Sequence, residues 1–142
     1  PSYKRYSGYN WGKNYQINLV KNQASLKAIW QMLLDRRDLN QPLLLILNDR
    51  PADGTDVSWI WDAPLFHLDR RRTPVVVSGR RADDLALRLK YAGLKPKQII
   101  VEPKINLAFA RLRGLPGSPK YILPTYTALL ELRRYLKKEP WN

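Results

Sequence analysis

The sequence predicts a three-layer α/β domain in which helices cover both faces of a mostly parallel sheet. Five short apolar runs, rich in Val, Ile and Leu, have the length and composition of strands buried on both faces. Amphipathic helical patterns lie between these runs, and this alternation is typical of a parallel sheet. The 142 residues are enough for one such domain.

The predicted strands are, in chain order, residues 17–20, 43–47, 75–77, 99–101 and 121–123. The clearest helical pattern is a series of apolar side chains at i, i+3, i+4, i+7 and i+8, which would lie on one face of a helix. Its members are Leu26, Ile29, Trp30, Leu33 and Leu34.

A second helix is predicted from Ala82, with Asp83 and Asp84 in the first turn, where acids suit the helix dipole, and with Gly93 as its stop. Weaker patterns predict helices over 106–113 and 125–138. The last helix closes on four cations, which are Arg133, Arg134, Lys137 and Lys138.

The first 14 residues are rich in Tyr, Lys and Asn and have no period, so they are predicted to be a linker or an edge segment. Residues 15–142 then form the domain itself. Because the chain starts at Pro1 and its one Met is Met32, we expect it to be part of a longer polypeptide with upstream domains.

The charge balance points to anionic partners. Lys and Arg number 25 against 12 acids, a formal net charge of +13, which suits nucleic acid, phosphorylated metabolites or a lipid headgroup surface. The absence of Cys excludes disulfides and thiolate metal sites, and any cysteine nucleophile would have to come from another chain. No apolar run reaches the roughly 18 residues of a membrane span.

In a parallel α/β sheet, chemistry is expected in the loops that follow the carboxyl ends of the strands. The loop 48–62 is the most unusual of these, since it holds four of the twelve acids of a basic chain. Pro51 and the Asp53-Gly54 pair predict a tight turn. Three apolar residues then alternate, which predicts one face anchored on the core. They are Val57, Trp59 and Trp61.

Several uses of this loop stay open. Its acids could simply cap backbone amides and pair with neighbouring Arg side chains. A calcium loop fails, because with Asp49 first its third position is Pro51 and its twelfth is Ile60. Magnesium binding is weakly supported, and a self-contained site would need Ser58, His67 and Asp56 to meet without any nucleophile-elbow motif.

The segment 78–84 joins a predicted strand end to a helix start, where Arg80 and Arg81 could bind a carboxylate or phosphate. The alternative is that both pair with the acids of the helix's first turn. Lys21 and Asn22 precede the first helix in the same way, and here the alternative is a plain N-cap by Asn22.

Six stretches of the chain resemble the carboxyl-terminal domain of the MurT-type subunit of lipid II isoglutaminyl synthase, a relative of the Mur ligases. The resemblance covers residues 15–138, and the string N-D-x-x-A-D-G-x-D-x-S-W-I-W-D over 48–62 is its most specific part. The other matching stretches are residues 17–22, 77–79, 81–84, 87–93 and 123–129.

This resemblance implies a Mur-ligase-type, Rossmann-like fold. It also implies a two-subunit cytoplasmic ligase of peptidoglycan and cell-wall synthesis, with a role in cell shape. Such an enzyme amidates the D-glutamate α-carboxylate of lipid II at the inner membrane face, using ATP and ammonia from glutamine. ATP and Mg would be bound mainly by an upstream central domain, zinc by an upstream Cys insertion, and no cofactor or metal by this domain alone. The isolated domain would be inactive.

The resemblance also implies a partner and a division of roles. A GatD-type glutamine amidotransferase would supply Cys and His for glutamine hydrolysis, while the last Asp of A-D-G-x-D, here Asp56, would supply the third member of the triad. The docking loop would use Asn48, Asp49, Asp53, Gly54 and Trp59. Contacts to nucleotide or peptide would come from Lys21, Asn22, Arg81, Thr125 and Tyr126.

Two departures from the family pattern concern ligand contacts. The chain has Lys21-Asn22-Gln23-Ala24-Ser25 where Lys-Asn-Pro-Ala-Gly is common, and Arg80 where a small or polar residue is usual. From a different class, the alternative is a basic nucleic-acid-binding module that uses residues 70–72 and 95–97 with exposed aromatic side chains. A third alternative is a scaffold domain without any catalytic group.

Overall fold

The computed structural model describes residues 8–11 and 14–137 of the chain. Within these residues, six strands and four α-helices make the α/β fold that the sequence predicts. The strands are β1 (Gly8–Trp11), β2 (Tyr15–Asn18), β3 (Leu43–Ile46), β4 (Val75–Ser78), β5 (Ile99–Val101) and β6 (Lys120–Pro124). The helices are α1 (Gln23–Asp35), α2 (Ala82–Tyr91), α3 (Ile105–Arg113) and α4 (Tyr126–Leu136).

The sheet has the order β1-β2-β6-β3-β4-β5. Strands β2 to β6 are parallel, and β1 pairs antiparallel with β2 at one edge. The segment 1–14, predicted as a linker or an edge segment, therefore contains an edge strand at 8–11, while residues 1–7 and 12–13 lie outside the described residues.

The helices form two layers. Side chains of α1 and α2 pack on one face of the sheet, together with the connection between β3 and β4, which contributes Ile60, Ala63 and Leu68. Side chains of α3 and α4 pack on the other face, around Phe109 and Leu132. Strands β3 and β4 are buried along their whole length, which explains their nearly continuous Leu and Val content.

The element boundaries differ from the predicted ones by a few residues. Strand β2 begins and ends two residues before the predicted run, although the backbone N–H of Val20 still donates to Pro124 O of β6 at 3.0 Å. Helix α2 ends just before Gly93, as predicted. Helix α4 ends at Leu136, and Lys138 lies outside the described residues.

Helix α1 begins at a local cap. The side chain of Asn22 accepts from the backbone N–H of Ser25 at 2.8 Å, and the Ser25 hydroxyl accepts in return from the backbone N–H of Asn22 at 3.1 Å. This reciprocal pair is a capping box, which stabilises the helix start. Within the described parts of the chain, no helix is long and apolar enough to cross a membrane.

Candidate functional site

Four loops bring the predicted site residues to one edge of the sheet, at the carboxyl ends of the parallel strands. Lys21 and Asn22 follow β2, and Tyr126 follows β6. The loop 48–62 follows β3, and Arg81 follows β4. Because these strands are neighbours in the sheet, the loops lie side by side, as the position of ligand sites in α/β folds predicts.

The first half of the loop, residues 48–54, is here called the inner segment. Asn48 is buried, with 3% of its surface exposed. Its Nδ2 donates to Thr127 Oγ1 at 3.0 Å, and its Oδ1 accepts from the Arg80 backbone N–H at 3.0 Å. Its own backbone N–H donates to Thr125 Oγ1 at 3.0 Å. One amide thus ties the loop to the segments that start α2 and α4.

Asp53 makes the second tie. Its Oδ1 accepts from the Thr127 backbone N–H at 2.7 Å, and its Oδ2 accepts from the Thr127 hydroxyl at 2.6 Å and the Arg50 backbone N–H at 3.1 Å. Thr127 lies in the first turn of α4, where backbone N–H groups lack partners inside the helix. The carboxylate therefore caps α4 from a distant loop and is directed at its own domain.

Asp49 makes the third tie, through charge. Its carboxylate accepts from Arg80 Nε at 2.8 Å and from Arg81 Nη1 at 3.2 Å, and Arg81 Nε donates to Asp84 Oδ2 at 2.6 Å. The hydrogen bond that Arg80 donates is the main cause that lowers the pKa of Asp49, and the hydrogen bonds that Arg81 donates to Asp84 and Asp49 raise the pKa of Arg81. The two Arg side chains are thus engaged by loop and helix acids.

The second half of the loop, residues 55–62, is here called the outer segment. The predicted alternation of Val57, Trp59 and Trp61 is wrong, because Ser58–Trp61 forms a 3₁₀ helix rather than an extended segment. In a 3₁₀ helix the residues at i and i+3 share a face. Val57 and Ile60 are therefore buried, Trp59 is half-buried against the core, and Trp61 is 42% exposed.

Asp56 lies at the start of the outer segment and is exposed to solvent. Its Oδ1 accepts from the Ser58 backbone N–H at 2.9 Å, and this bond, followed by one from the Ser58 side chain, lowers its pKa. The carboxylate is thus ionised at neutral pH. The described residues offer it no hydrogen-bond partner other than Ser58, so it is not hydrogen-bonded to His67.

Asp56 lines an open cleft of about 230 Å³. The other lining residues come from the outer segment and from the start of α2, and they are Thr55, Val57, Ser58, Trp61, Arg81 and Asp84. An oriented, ionised carboxylate on the wall of an open cleft can accept a hydrogen bond from a group that another molecule brings in. The cleft itself contains neither His nor Cys.

Two residues predicted to bind ligands have structural roles. Thr125 is buried and accepts from the Asn48 backbone N–H, and Asn22 caps α1. Lys21 and Tyr126 are exposed at the same edge of the sheet.

The basic stretch behind the nucleic-acid alternative is partly internal. Arg71 is 3% exposed, and its guanidinium donates to the carbonyl oxygens of Thr73 at 3.0 Å, of Pro74 at 2.8 Å and of Leu39. A side chain that satisfies three backbone carbonyls inside the protein cannot contact a phosphate. The stretch 70–72 is thus interrupted at its centre, which weakens the nucleic-acid alternative.

Among the described residues, no group of three or more His, Cys, Asp or Glu side chains could hold a metal ion.

Sequence reasoning missed an aromatic contact beside the cleft. The rings of Trp61 and Tyr91 meet edge to face with their centroids 5.8 Å apart, and the Arg88 guanidinium lies 5.7 Å from the Trp61 ring centroid. The assumed alternation gave Trp61 the same inward direction as Trp59. Tyr91 belongs to the matching stretch 87–93, but the resemblance gave it no role.

Comparisons with known proteins give this geometry a context. The profile of the MurT ligase C-terminal family matches residues 19–129. The MurT subunit of the glutamine-hydrolysing lipid II isoglutaminyl synthase of Staphylococcus aureus strain COL is 35% identical over 127 residues, which are 89% of this chain and 28% of that protein. The subunit of the same name from Streptococcus pneumoniae strain R6 is 34% identical over 95 residues, which are 66% of this chain and 21% of that protein.

The solved structures agree on the fold. A domain assigned to a UDP-N-acetylmuramate:L-alanyl-γ-D-glutamyl-meso-diaminopimelate-type ligase of Haemophilus ducreyi superimposes with a TM-score of 0.53 at 12% identity, covering 94% of this chain and 98% of that one. At this identity the similarity concerns architecture alone. The chain spans less than a third of the length of the curated relatives that it matches.

Proposed function

Since this chain belongs to the MurT ligase C-terminal family, we propose that it is the carboxyl-terminal domain of the ligase subunit of a lipid II isoglutaminyl synthase. The whole enzyme would amidate the D-glutamate α-carboxylate of lipid II with ATP and glutamine-derived ammonia. This domain would dock a GatD-type glutaminase subunit and give it the acid of its catalytic triad, Asp56.

The observation that carries this proposal is the contrast between Asp56 and the other acids of its surroundings. Asp49, Asp53 and Asp84 are engaged by Arg side chains or by the start of α4. Asp56 is exposed on a cleft wall, and its hydrogen bonds from Ser58 orient it and keep it ionised. A triad acid that serves another chain needs both properties.

The chemistry assigned to Asp56 is that of an orienting acid. Its carboxylate would accept the Nδ1–H of the partner's imidazole, fix the tautomer that activates the partner's thiol, and stabilise the imidazolium that forms. The chain has no Cys, and its one His, His67, is exposed and is not bonded to Asp56. The thiol and the imidazole would therefore both come from the glutaminase.

The ligase half of the reaction would use the upstream domains of the same subunit. ATP and Mg would be held mainly there, with zinc in the upstream Cys insertion. From this domain, Lys21 and Tyr126 are the exposed residues that would contact nucleotide or peptide. These contacts would be made between this domain and the upstream domains, not in the cleft that Asp56 lines. Asn22, Thr125 and Arg81 would support that edge through the contacts described above.

The net charge of +13 suits this setting. Lipid II carries a pyrophosphate and lies in a membrane with an anionic cytoplasmic face, where each nearby cation contributes about 1 kcal/mol. We therefore place the enzyme in the cytoplasm, acting at the inner face of the cell membrane.

The test is Asp56→Asn in the full-length subunit, assayed for glutamine hydrolysis with its partner at saturating concentration. Loss of the orienting acid is expected to lower kcat by up to about 10⁴-fold, the loss that the corresponding Asp→Asn change causes in a serine protease triad. Asp62→Asn is the matched control, because Asp62 is an exposed acid of the same loop outside the cleft lining. A rate within about threefold of wild type for Asp56→Asn would refute the role.

A further inference from the structure

A cluster of exposed side chains lies beside the cleft that holds Asp56. Trp61 is 42% exposed, Tyr91 73% and Leu87 47%. Leu87 and Tyr91 are four residues apart on α2, so they share one side of the helix. With Arg88, which lies over the Trp61 ring, these residues are here called the aromatic patch.

The aromatic patch is held in place before any partner binds. Arg88 Nε donates to Ile60 O at 2.8 Å, and its Nη2 donates to Ala63 O at 2.9 Å. These bonds fasten α2 to the 3₁₀ helix that carries Trp61, and the indole also makes an edge-to-face contact with Tyr91. A pre-ordered aromatic surface loses little conformational entropy on binding.

The aromatic patch is continuous with the cleft, because Trp61 belongs to both. It lines the cleft together with Asp56, and its ring contacts Tyr91 outside it. A group that reaches Asp56 from another chain therefore enters a cleft that Trp61 lines, and Tyr91 is the aromatic neighbour of Trp61 outside that cleft. Trp, Tyr and Arg are also the residue types that dominate the binding energy of protein interfaces.

We infer that the aromatic patch is the anchor on which the glutaminase subunit docks, through an apolar side chain that it seats against Trp61 and Tyr91. This inference rests on the proposed function and adds a separation of roles. The patch provides affinity, while Asp56 provides the catalytic acid. It also moves the docking contact away from Asn48, Asp53 and Trp59, which are directed into their own domain.

The experiment titrates the full-length subunit with its glutaminase partner and measures both the binding constant and the hydrolysis rate at saturation. Tyr91→Ala is expected to raise the Kd at least tenfold and to leave the saturated rate within about threefold, because Tyr91 lies outside the cleft lining. Trp61→Ala is expected to raise the Kd at least tenfold as well, and its rate is not used as a criterion because Trp61 lines the cleft with Asp56. Tyr91→Phe should bind like wild type, because the contact uses the ring. Leu107→Ala is the matched control, since Leu107 is 45% exposed on α3, in the opposite layer.

The outcomes separate this inference from the proposed function. Asp56→Asn is expected to give the reverse pattern, a lost rate with a Kd within about threefold. If Asp56→Asn keeps its rate while Tyr91→Ala weakens binding, the triad role fails and the docking site stands. If Tyr91→Ala and Trp61→Ala both bind the partner within twofold of wild type, the docking site is overturned. A patch that instead mediates self-association of this chain, seen as a change in sedimentation with no change in partner affinity, would overturn it as well.

Discussion

The two halves of the loop 48–62 are next to each other in sequence, but their polar side chains have different surroundings. In the inner segment, the side chains of Asn48 and Asp53 are directed inwards and bond to the helix starts of their own domain. The outer segment buries Val57 and Ile60 and leaves Asp56 and Trp61 exposed. Acids three residues apart thus have different roles, because one is satisfied from within and the other is left to an incoming molecule.

This difference teaches how a surface acid can be placed accurately. A carboxylate on a mobile loop would lose its orientation, whereas here the loop is fixed to α2 and α4 by buried and charge-assisted hydrogen bonds. The inner segment thus holds the loop in place, and the outer segment carries the exposed side chains. Substitutions in the contacts of the inner segment should therefore affect mainly stability, and substitutions in the outer segment should affect mainly activity or binding.

The largest expected effect on stability comes from adding a side chain at Gly79, which packs against the start of the inner segment. Gly79 has φ +94°, and an added Cβ would lie 2.6 Å from Leu47 O and 2.8 Å from Asn48 Oδ1. Backbone strain and overpacking together should make Gly79→Ala cost about 3–4 kcal/mol of unfolding free energy. Urea unfolding of the chain, followed by circular dichroism, measures the loss.

Gly54 gives the matched control for this change. It also has a positive φ, +90°, but an added Cβ would meet nothing within 4 Å. Gly54→Ala should therefore carry the strain alone, about 1–2 kcal/mol. Equal losses of unfolding free energy in the two variants would show that the inner segment does not pack tightly against the turn after β4. That result would contradict the structural role given to the inner segment.

A smaller effect is expected from the helix cap. Asp53→Ala removes the acceptor for the Thr127 N–H and hydroxyl, and loss of such a cap costs about 2 kcal/mol. For a chain of this size, that corresponds to a fall in Tm of roughly 4–8 °C. Asp56→Ala is the comparison, and it should lower Tm by less than Asp53→Ala, because the Asp56 carboxylate bonds only to Ser58, two residues away, within the described residues. A Tm loss in Asp56→Ala as large as that in Asp53→Ala would contradict the division.

The fold could be predicted from the sequence because its signal is spread over many residues. Strands buried on both faces demand runs such as Val75–Ser78, and helices demand apolar periodicity, so an error at one residue shifts a boundary without changing the architecture. For residues 1–14 the sequence left a linker and an edge segment open, because the segment has no apolar alternation, and the edge strand β1 that forms there needs none.

The site was harder to predict, because its geometry depends on single dihedral angles. Whether the chain after Asp56 continues as a strand or turns into a 3₁₀ helix decides if Trp61 is directed inwards or outwards, and the apolar residues fit both patterns. Similarly, Arg81 pairs with Asp49 from a loop 32 residues away, a contact that no local spacing encodes. Family resemblance singled out Asp56, but the contacts of Asp53 and Thr127 needed coordinates.

The smallest expected effect concerns the ion pairs that Asp49 of the inner segment makes with Arg80 and Arg81. It appears in the pH dependence of stability. The Arg80 and Arg81 guanidinium groups lower the pKa of Asp49 in the folded state, so near pH 4 the unfolded chain binds more protons than the folded one. The contribution of Asp49 is therefore complete above the ordinary pKa of 3.8 and is lost as the pH falls through that value towards the lowered one. Asp49→Asn should unfold at a lower urea concentration than wild type at pH 7, and the difference should shrink as the pH is lowered below 3.8. Asp62→Asn, whose side chain has no hydrogen bond or ion pair within the described residues, should match wild type over the same pH range. A difference between Asp49→Asn and wild type that persists at the acid end would show that the side chain stabilises the loop by packing rather than by charge.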